Sequence, residues 1–182
     1  VISSPLNELD LRNLMYTGYK ENNGPFVIRY PRGKGEMADW RNEMHVLPIG
    51  KGKKLRDGDD IAILSLGPIG NEVIKAIKEI EGDGISIAHY DMIYLKPMDE
   101  ELLHEVGKKF SRIITVENGV IRGGLGSAVL EFMADNGYTP KIKRIGVPDE
   151  FVEHGPISEL YKLCGMDAKC IAEEIKKMVI GG

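Results

Sequence analysis

The sequence predicts an α/β protein: a mainly parallel sheet with helices on both faces, preceded by a helix–strand pair. Three observations carry this. From Asp60 onward, short β-branched apolar runs alternate with amphipathic segments of helical length, the pattern of parallel strands joined by crossover helices. The glycine-rich stretch Thr115–Ser127 falls between one such run and one such segment, where α/β folds place a strand-to-helix turn. Residues 34–59 are polar, charged and turn-rich, and they separate a short front from a long back.

At the front, Ser4-Pro5 offers a hydroxyl N-cap and a proline at the first helical position. A helix is expected from there to about Tyr19, with Leu6, Leu11, Leu14 and Met15 on one face. Asn22-Asn23-Gly24-Pro25 breaks it, and Phe26–Tyr30 reads as a strand ended by Pro31-Arg32-Gly33. One helix and one strand cannot bury a core alone, so residues 1–33 read as the end of a domain begun upstream. Residues 34–59 read as an interdomain linker and entry strand. Within them His45–Gly50 is a short edge strand, Lys51–Asp60 a charged turn, and Trp40 an anchor on a domain surface.

The back, residues 60–182, is regular. Strands are expected at Ile61–Leu66, Ile85–Tyr90, Arg112–Val116 and Lys141–Ile145. The helix after Gly67-Pro68-Ile69-Gly70 carries Val73, Ile74, Ile77 and Ile80 on one stripe and stops at Gly82-Asp83-Gly84. The helix from about Asp99 to Lys109 has an acidic start and a basic end, which suits the helix dipole. A helix follows the glycine turn to about Asn136, and two more, Ser158–Cys164 and Asp167–Val179, close the sequence. Ligands of such sheets sit at the C-terminal ends of the strands, where Gly67, Asp91 and Glu117 fall.

Composition narrows the function. Hydrophobic residues make up 42% and charged residues 29%, the balance of a globular domain with a real core. A net charge of -4 without a basic run argues against nucleic-acid binding. No apolar run reaches membrane-spanning length, and Val1-Ile-Ser-Ser-Pro5 lacks the basic start and apolar core of a secretory signal. A cytoplasmic location is expected, with Cys164 and Cys170 as free thiols. Glycine order does not match the dinucleotide fingerprint, since Gly123-Gly124-Leu125-Gly126 has no third glycine in place.

Several residues could carry chemistry. The helix start after the glycine turn directs free N–H groups at an anion, a carboxylate or a partner's loop; the glycines would equally serve tight helix–sheet packing. Glu117 is a candidate for a tuned carboxylate, or for capping loop N–H groups or pairing with Arg122. His154 could be a phosphate donor or general base, or a surface histidine, whereas His45, His89 and His104 read as packing or surface residues. Arg29-Tyr30-Pro31-Arg32 is more pointed. Two guanidinium groups straddle the end of a strand, where bidentate recognition of phosphate or carboxylate is natural. Surface ion pairs are the alternative.

Several motifs occur together and in order: Leu14–Tyr19, Gly24–Gly33, Leu47–Gly52, Leu95–Asp99, Thr115–Glu117, Gly123–Ser127 and Gly146–Gly155. In this the chain resembles the 1-deoxy-D-xylulose-5-phosphate synthase family over essentially its whole length. The resemblance implies an enzyme that joins pyruvate to glyceraldehyde 3-phosphate with loss of CO2, using thiamine diphosphate and Mg2+, as a homodimer on a transketolase plan. It places residues 1–33 at the end of the pyrimidine-binding domain and the back in a transketolase-type C-terminal domain. The main cofactor and metal ligands would lie outside this chain, and the chain alone would be inactive. Arg32 matches the family's acceptor-phosphate arginine in Tyr-Pro-Arg-Gly, with Arg29 a second candidate. Asn118 and Gly119 depart from the family's run of a second glutamate and an asparagine. Another transketolase-like enzyme, or a stand-alone anion-binding module, are the competing expectations.

Overall fold

The computed structural model describes residues 1–21, 24–33, 35 and 40–181. The opening residues supply β1 (Ile2–Ser3), α1 (Glu8–Glu21) and β2 (Val27–Ile28). Then come β3 (Lys53–Arg56), β4 (Ile61–Leu66), α2 (Gly70–Glu79), β5 (Ile87–Asp91), β6 (Tyr94–Lys96) and α3 (Glu100–Lys109). The chain continues through β7 (Arg112–Val120), α4 (Leu125–Asp135), β8 (Lys141–Val147), α5 (Ile157–Leu163) and α6 (Ala168–Ile180).

The main sheet has the order β3-β5-β4-β7-β8, parallel except for the antiparallel edge strand β3. Both faces are buried, and the period of two along each strand divides them. On β4, Ile61 and Ile63 pack with Val73 and Ile77 of α2 and Ile171 and Ile175 of α6. Ala62 and Leu64 face the other way, onto Leu103 and Val106 of α3 and Leu125 and Val129 of α4. The α2 stripe holds for Val73, Ile77 and Ile80, whereas Ile74 lies exposed beside it. Asp99 caps α3 by accepting from the Leu102 N–H at 3.1 Å, and it also accepts from Gly52 N–H at 2.9 Å.

The front departs from expectation in four ways. First, α1 starts later: Asn7, not Ser4, caps it, accepting the Asp10 N–H at 3.0 Å. Ser4 is buried and spent elsewhere, its N–H donating to Ile93 O and its hydroxyl to Arg29 O, each at 2.9 Å. Of the expected apolar face, Leu14 is fully buried but Met15 is exposed.

Second, the opening segment is not a lone helix–strand pair. Strand β1 pairs parallel with β2 and antiparallel with β6, in a three-stranded sheet of order β2-β1-β6. These strands are two or three residues long, too short to print a period of two on the sequence. Beneath them Leu14, Ile93 and Tyr94 are buried, with Val1, Phe26, Ile28 and Leu47 against them.

Third, His45–Gly50 is not a strand. Its backbone lies along α1 instead, His45 N–H donating to Asn13 Oδ1 at 3.0 Å and Leu47 N–H to Thr17 Oγ1 at 2.8 Å. Fourth, the edge strand is β3, within the stretch read as a charged turn. Lysines and an arginine there protect an open sheet edge while keeping their side chains in water. Trp40 is held against α1: Arg12 donates to its carbonyl at 2.8 Å and lies 5.3 Å from its ring centroid. The rest of the polar run at 34 and 36–39, and the Asn22-Asn23 break, lie outside the described residues.

Candidate functional site

From β4 the chain moves to β5 through α2 on one face, then returns past β4 to β7 through α3 on the other. The connections leaving the C-terminal ends of β4 and β7 therefore run to opposite faces, α2 to one and α4 to the other, and the crevice at such a point is where open α/β sheets bind ligands. Here the opening segment enters that crevice. Gly67 follows β4 with φ +83, and a Cβ on it would lie 2.3 Å from Ser4 Oγ. At Gly70 a Cβ would meet Leu6 Cδ1 at 2.7 Å. Asn71 then donates to Leu6 O at 3.1 Å. Two missing side chains thus let the opening segment lie on the strand ends.

On the β7 side, Glu117 is buried and its two carboxylate oxygens accept from Leu125 N–H and Gly126 N–H, each at 2.9 Å. The anion at the start of α4 is the chain's own carboxylate, bound by N–H groups that a helix leaves free. Packing matters equally: a Cβ on Gly124 would lie 1.8 Å from Glu117 Oε2, and one on Gly126 2.7 Å from Thr115 Oγ1. Glu117 therefore caps, and Arg122 pairs instead with Asp149 at 3.6 Å.

Beside this clasp β7 bulges. Val116 opposes Ile145 and Val120 opposes Val147, so four steps on β7 match two on β8. The intervening residues carry Asn118 out of the ladder. Its carbonyl accepts from Arg29 Nη2, and its side-chain amide donates to Tyr161 Oη of α5 at 3.0 Å.

The two arginines do not form a single fork. The strand ends at Ile28, two residues earlier than expected. Arg29 borders the crevice, in a space of about 250 Å³ that Ser4, Glu117, Arg122 and Gly124 also line. Arg32 is exposed on an adjoining cleft of about 310 Å³, with Tyr30, Asn71, Glu72 and Tyr161. It has no ion-pair or hydrogen-bond partner among the described residues.

Two buried titratable groups sit on β5, His89 at its middle and Asp91 at its end. His89 Nε2 is 2.8 Å from Ser65 Oγ, and burial pushes its pKa down to about 4. Asp91 is pushed up to about 7, chiefly by burial, although it accepts from Ile93 N–H at 3.2 Å. Asp10 adds to that rise and Lys53 opposes it. Ile93 itself has φ 55, an unusual value for a β-branched residue, and its carbonyl accepts the Ser4 N–H at 2.9 Å. A strand-end aspartate was visible in the sequence; its burial was not. His104 packs against Phe132 with its Nδ1 3.0 Å from Tyr138 Oη, and His154 lies exposed in the loop before α5. Both cysteines are free.

Among the described residues, no group of three or more His, Cys, Asp or Glu side chains converges as a metal site.

Known proteins agree with this architecture. Residues 50–171 match the family described as "Transketolase, C-terminal domain". The chain is 80% identical over 177 residues to 1-deoxy-D-xylulose-5-phosphate synthase of Parabacteroides distasonis, covering 97% of this chain and 28% of that protein. The protein of the same name from Bacteroides fragilis is 58% identical over 177 residues, with 97% and 27% covered. The chain therefore spans little more than a quarter of the length of these relatives. A solved structure described as a split-gene transketolase, inactive β4 tetramer, superposes with a TM-score of 0.81 at 28% identity, over 98% of this chain and 57% of that one. With residues 50–171, more than half of its length, matching that model, the chain belongs to the transketolase C-terminal domain family.

Proposed function

We propose that this chain is the C-terminal part of a 1-deoxy-D-xylulose-5-phosphate synthase. Such an enzyme condenses pyruvate with glyceraldehyde 3-phosphate, releasing CO2, and feeds isoprenoid, thiamine and pyridoxal synthesis. The observation that carries the reading is 80% identity over 97% of the chain to a protein of that name. Residues 1–33 then end the pyrimidine-binding domain, 34–59 link, and 60–182 form the transketolase-type domain. Thiamine diphosphate and Mg2+ serve the whole enzyme, with their main ligands outside this chain. What this chain contributes is substrate positioning.

Arg32 and Arg29 are the residues for that task. Arg32 is exposed on a cleft beside the strand-end crevice and is unpaired among the described residues; Arg29 borders the crevice itself. Guanidinium groups so placed would bind the acceptor's phosphate and hold its aldehyde toward the reacting carbon of the donor, which supplies rate through orientation. The whole enzyme is read as a cytoplasmic homodimer; no helix among the described residues is long and apolar enough to cross a membrane.

Kinetics of the full-length enzyme test this. Arg32→Ala should raise the KM for glyceraldehyde 3-phosphate by roughly 30- to 150-fold, the loss of a charge-assisted contact of about 2–3 kcal/mol, with the pyruvate KM little changed. Unchanged acceptor KM values in both Arg32→Ala and Arg29→Ala would end the reading. The isolated chain should bind neither thiamine diphosphate nor pyruvate by calorimetry, whereas a stand-alone binding module should retain its ligand.

A further inference from the structure

We infer that Asn118 is a positioning residue for Arg29, and through it for the phosphate of the acceptor; this rests on the function proposed above. Arg29 follows a two-residue strand and is exposed, so its long side chain has little packing to choose a rotamer for it. Among the described residues, the partner that orients it is the Asn118 carbonyl, presented by the bulge in β7. A bulge leaves its carbonyls out of the ladder, and one turned toward a guanidinium holds that group while its other N–H groups stay open to a ligand.

The bulge is held on both sides. On one, the adjacent Glu117 is clasped by Leu125 N–H and Gly126 N–H. On the other, the Asn118 amide is tied to Tyr161 Oη at 3.0 Å. Tyr161 also lines the Arg32 cleft, so one side chain borders Arg32 and fixes the carbonyl that holds Arg29. The Asn118 side-chain amide can make this tie because it carries N–H donors, which Tyr161 Oη accepts.

The experiment is steady-state kinetics of the full-length enzyme carrying Asn118→Ala, Tyr161→Phe and both together. Each is run with glyceraldehyde 3-phosphate and with unphosphorylated glyceraldehyde as acceptor. The expected result is a roughly three- to tenfold rise in KM for the phosphorylated acceptor in either single variant, the loss of one hydrogen bond's worth of orientation. The double variant should be no worse than the singles, because both cut one tie. The KM for pyruvate, and the rate with the unphosphorylated acceptor, should hold. Tyr161→Phe leaves β7 and β8 untouched and carries the test should Asn118→Ala fold poorly. Equal losses with both acceptors, an additive double variant, or wild-type kinetics in Tyr161→Phe would each overturn the inference. Arg29→Ala separates the two levels: if it raises the acceptor KM while the Asn118 and Tyr161 variants do nothing, only the positioning role falls. If Arg29→Ala is silent, the assignment of Arg29 to the phosphate falls with it.

Discussion

Replacing Glu117 by alanine should be among the most damaging single changes outside the apolar core. Its carboxylate receives two backbone N–H groups at 2.9 Å in a nearly water-free position at the start of α4. Charge-assisted bonds of this kind are worth about 1.5–3 kcal/mol each, and the helix dipole adds about 0.3–1 kcal/mol. Against that stands the relief of a desolvated carboxylate, which offsets part of the sum. A net loss of about 3 kcal/mol is expected, or a fall of roughly 6–12 °C in the unfolding midpoint for a chain of this size. Glu117→Gln keeps one acceptor but turns an N–H₂ toward an N–H, so it should cost about 2 kcal/mol. The assay is urea denaturation followed by circular dichroism, with Gly124→Ala measured alone and in the Glu117→Ala background. A Cβ at Gly124 would lie 1.8 Å from Oε2, so the glycine variant should be costly alone and nearly free once the carboxylate is gone. A Glu117→Ala cost below about 1 kcal/mol, or an equal Gly124→Ala cost in both backgrounds, would refute the clasp.

Other outcomes follow from the same geometry. Asp91, raised to about 7 in the folded state, stabilises it fully below its unfolded pKa of 3.8, and that contribution is lost as pH rises toward 7. His89, lowered to about 4, contributes above 6.5 and loses that contribution as pH falls toward 4. The two slopes oppose each other, each on the order of 3 kcal/mol, so urea midpoints between pH 4 and 7 should rise with pH in Asp91→Asn and fall with pH in His89→Gln. Leu14→Ala should cost about 2–5 kcal/mol and raise amide exchange first in α1 and β1, whose small cluster it anchors. Gly67→Ala should loosen the same segment through its φ of +83 and the clash with Ser4, seen as faster exchange at Ser4 N–H with α6 unaffected. Asp99→Ala should cost about 1–2 kcal/mol by uncapping α3, with denaturation as the measure.

The main sheet was readable from residues alone because its signals are local and repeated. Strands β4, β5 and the first half of β7 are mostly apolar runs, β8 alternates charged and apolar residues, and α2, α3 and α6 carry stripes or caps that tie each segment to one conformation. The motifs at Arg29–Gly33 and Gly123–Ser127 are similarly compact, so two arginines and a glycine turn stood out before any coordinates.

What only the tertiary structure decided are matters of partnership at long separation. Ser4 looks like a helix cap until Ile93 and Arg29 claim its groups. Ile2 and Ser3 become a strand because Val27–Ile28 and Tyr94–Lys96 lie on either side of them, and β3 is a strand because β5 offers it an edge. Glu117 might have met Arg122, a phosphate or a backbone turn; the close approach that Gly124 permits chose the turn. Arg29 and Arg32, three residues apart, face different spaces because a bulge more than eighty positions away presents a carbonyl to one of them. Sequence patterns encode what a segment does with its own neighbours, whereas hydrogen-bonding groups with several suitors are settled by which one the folded backbone brings within reach.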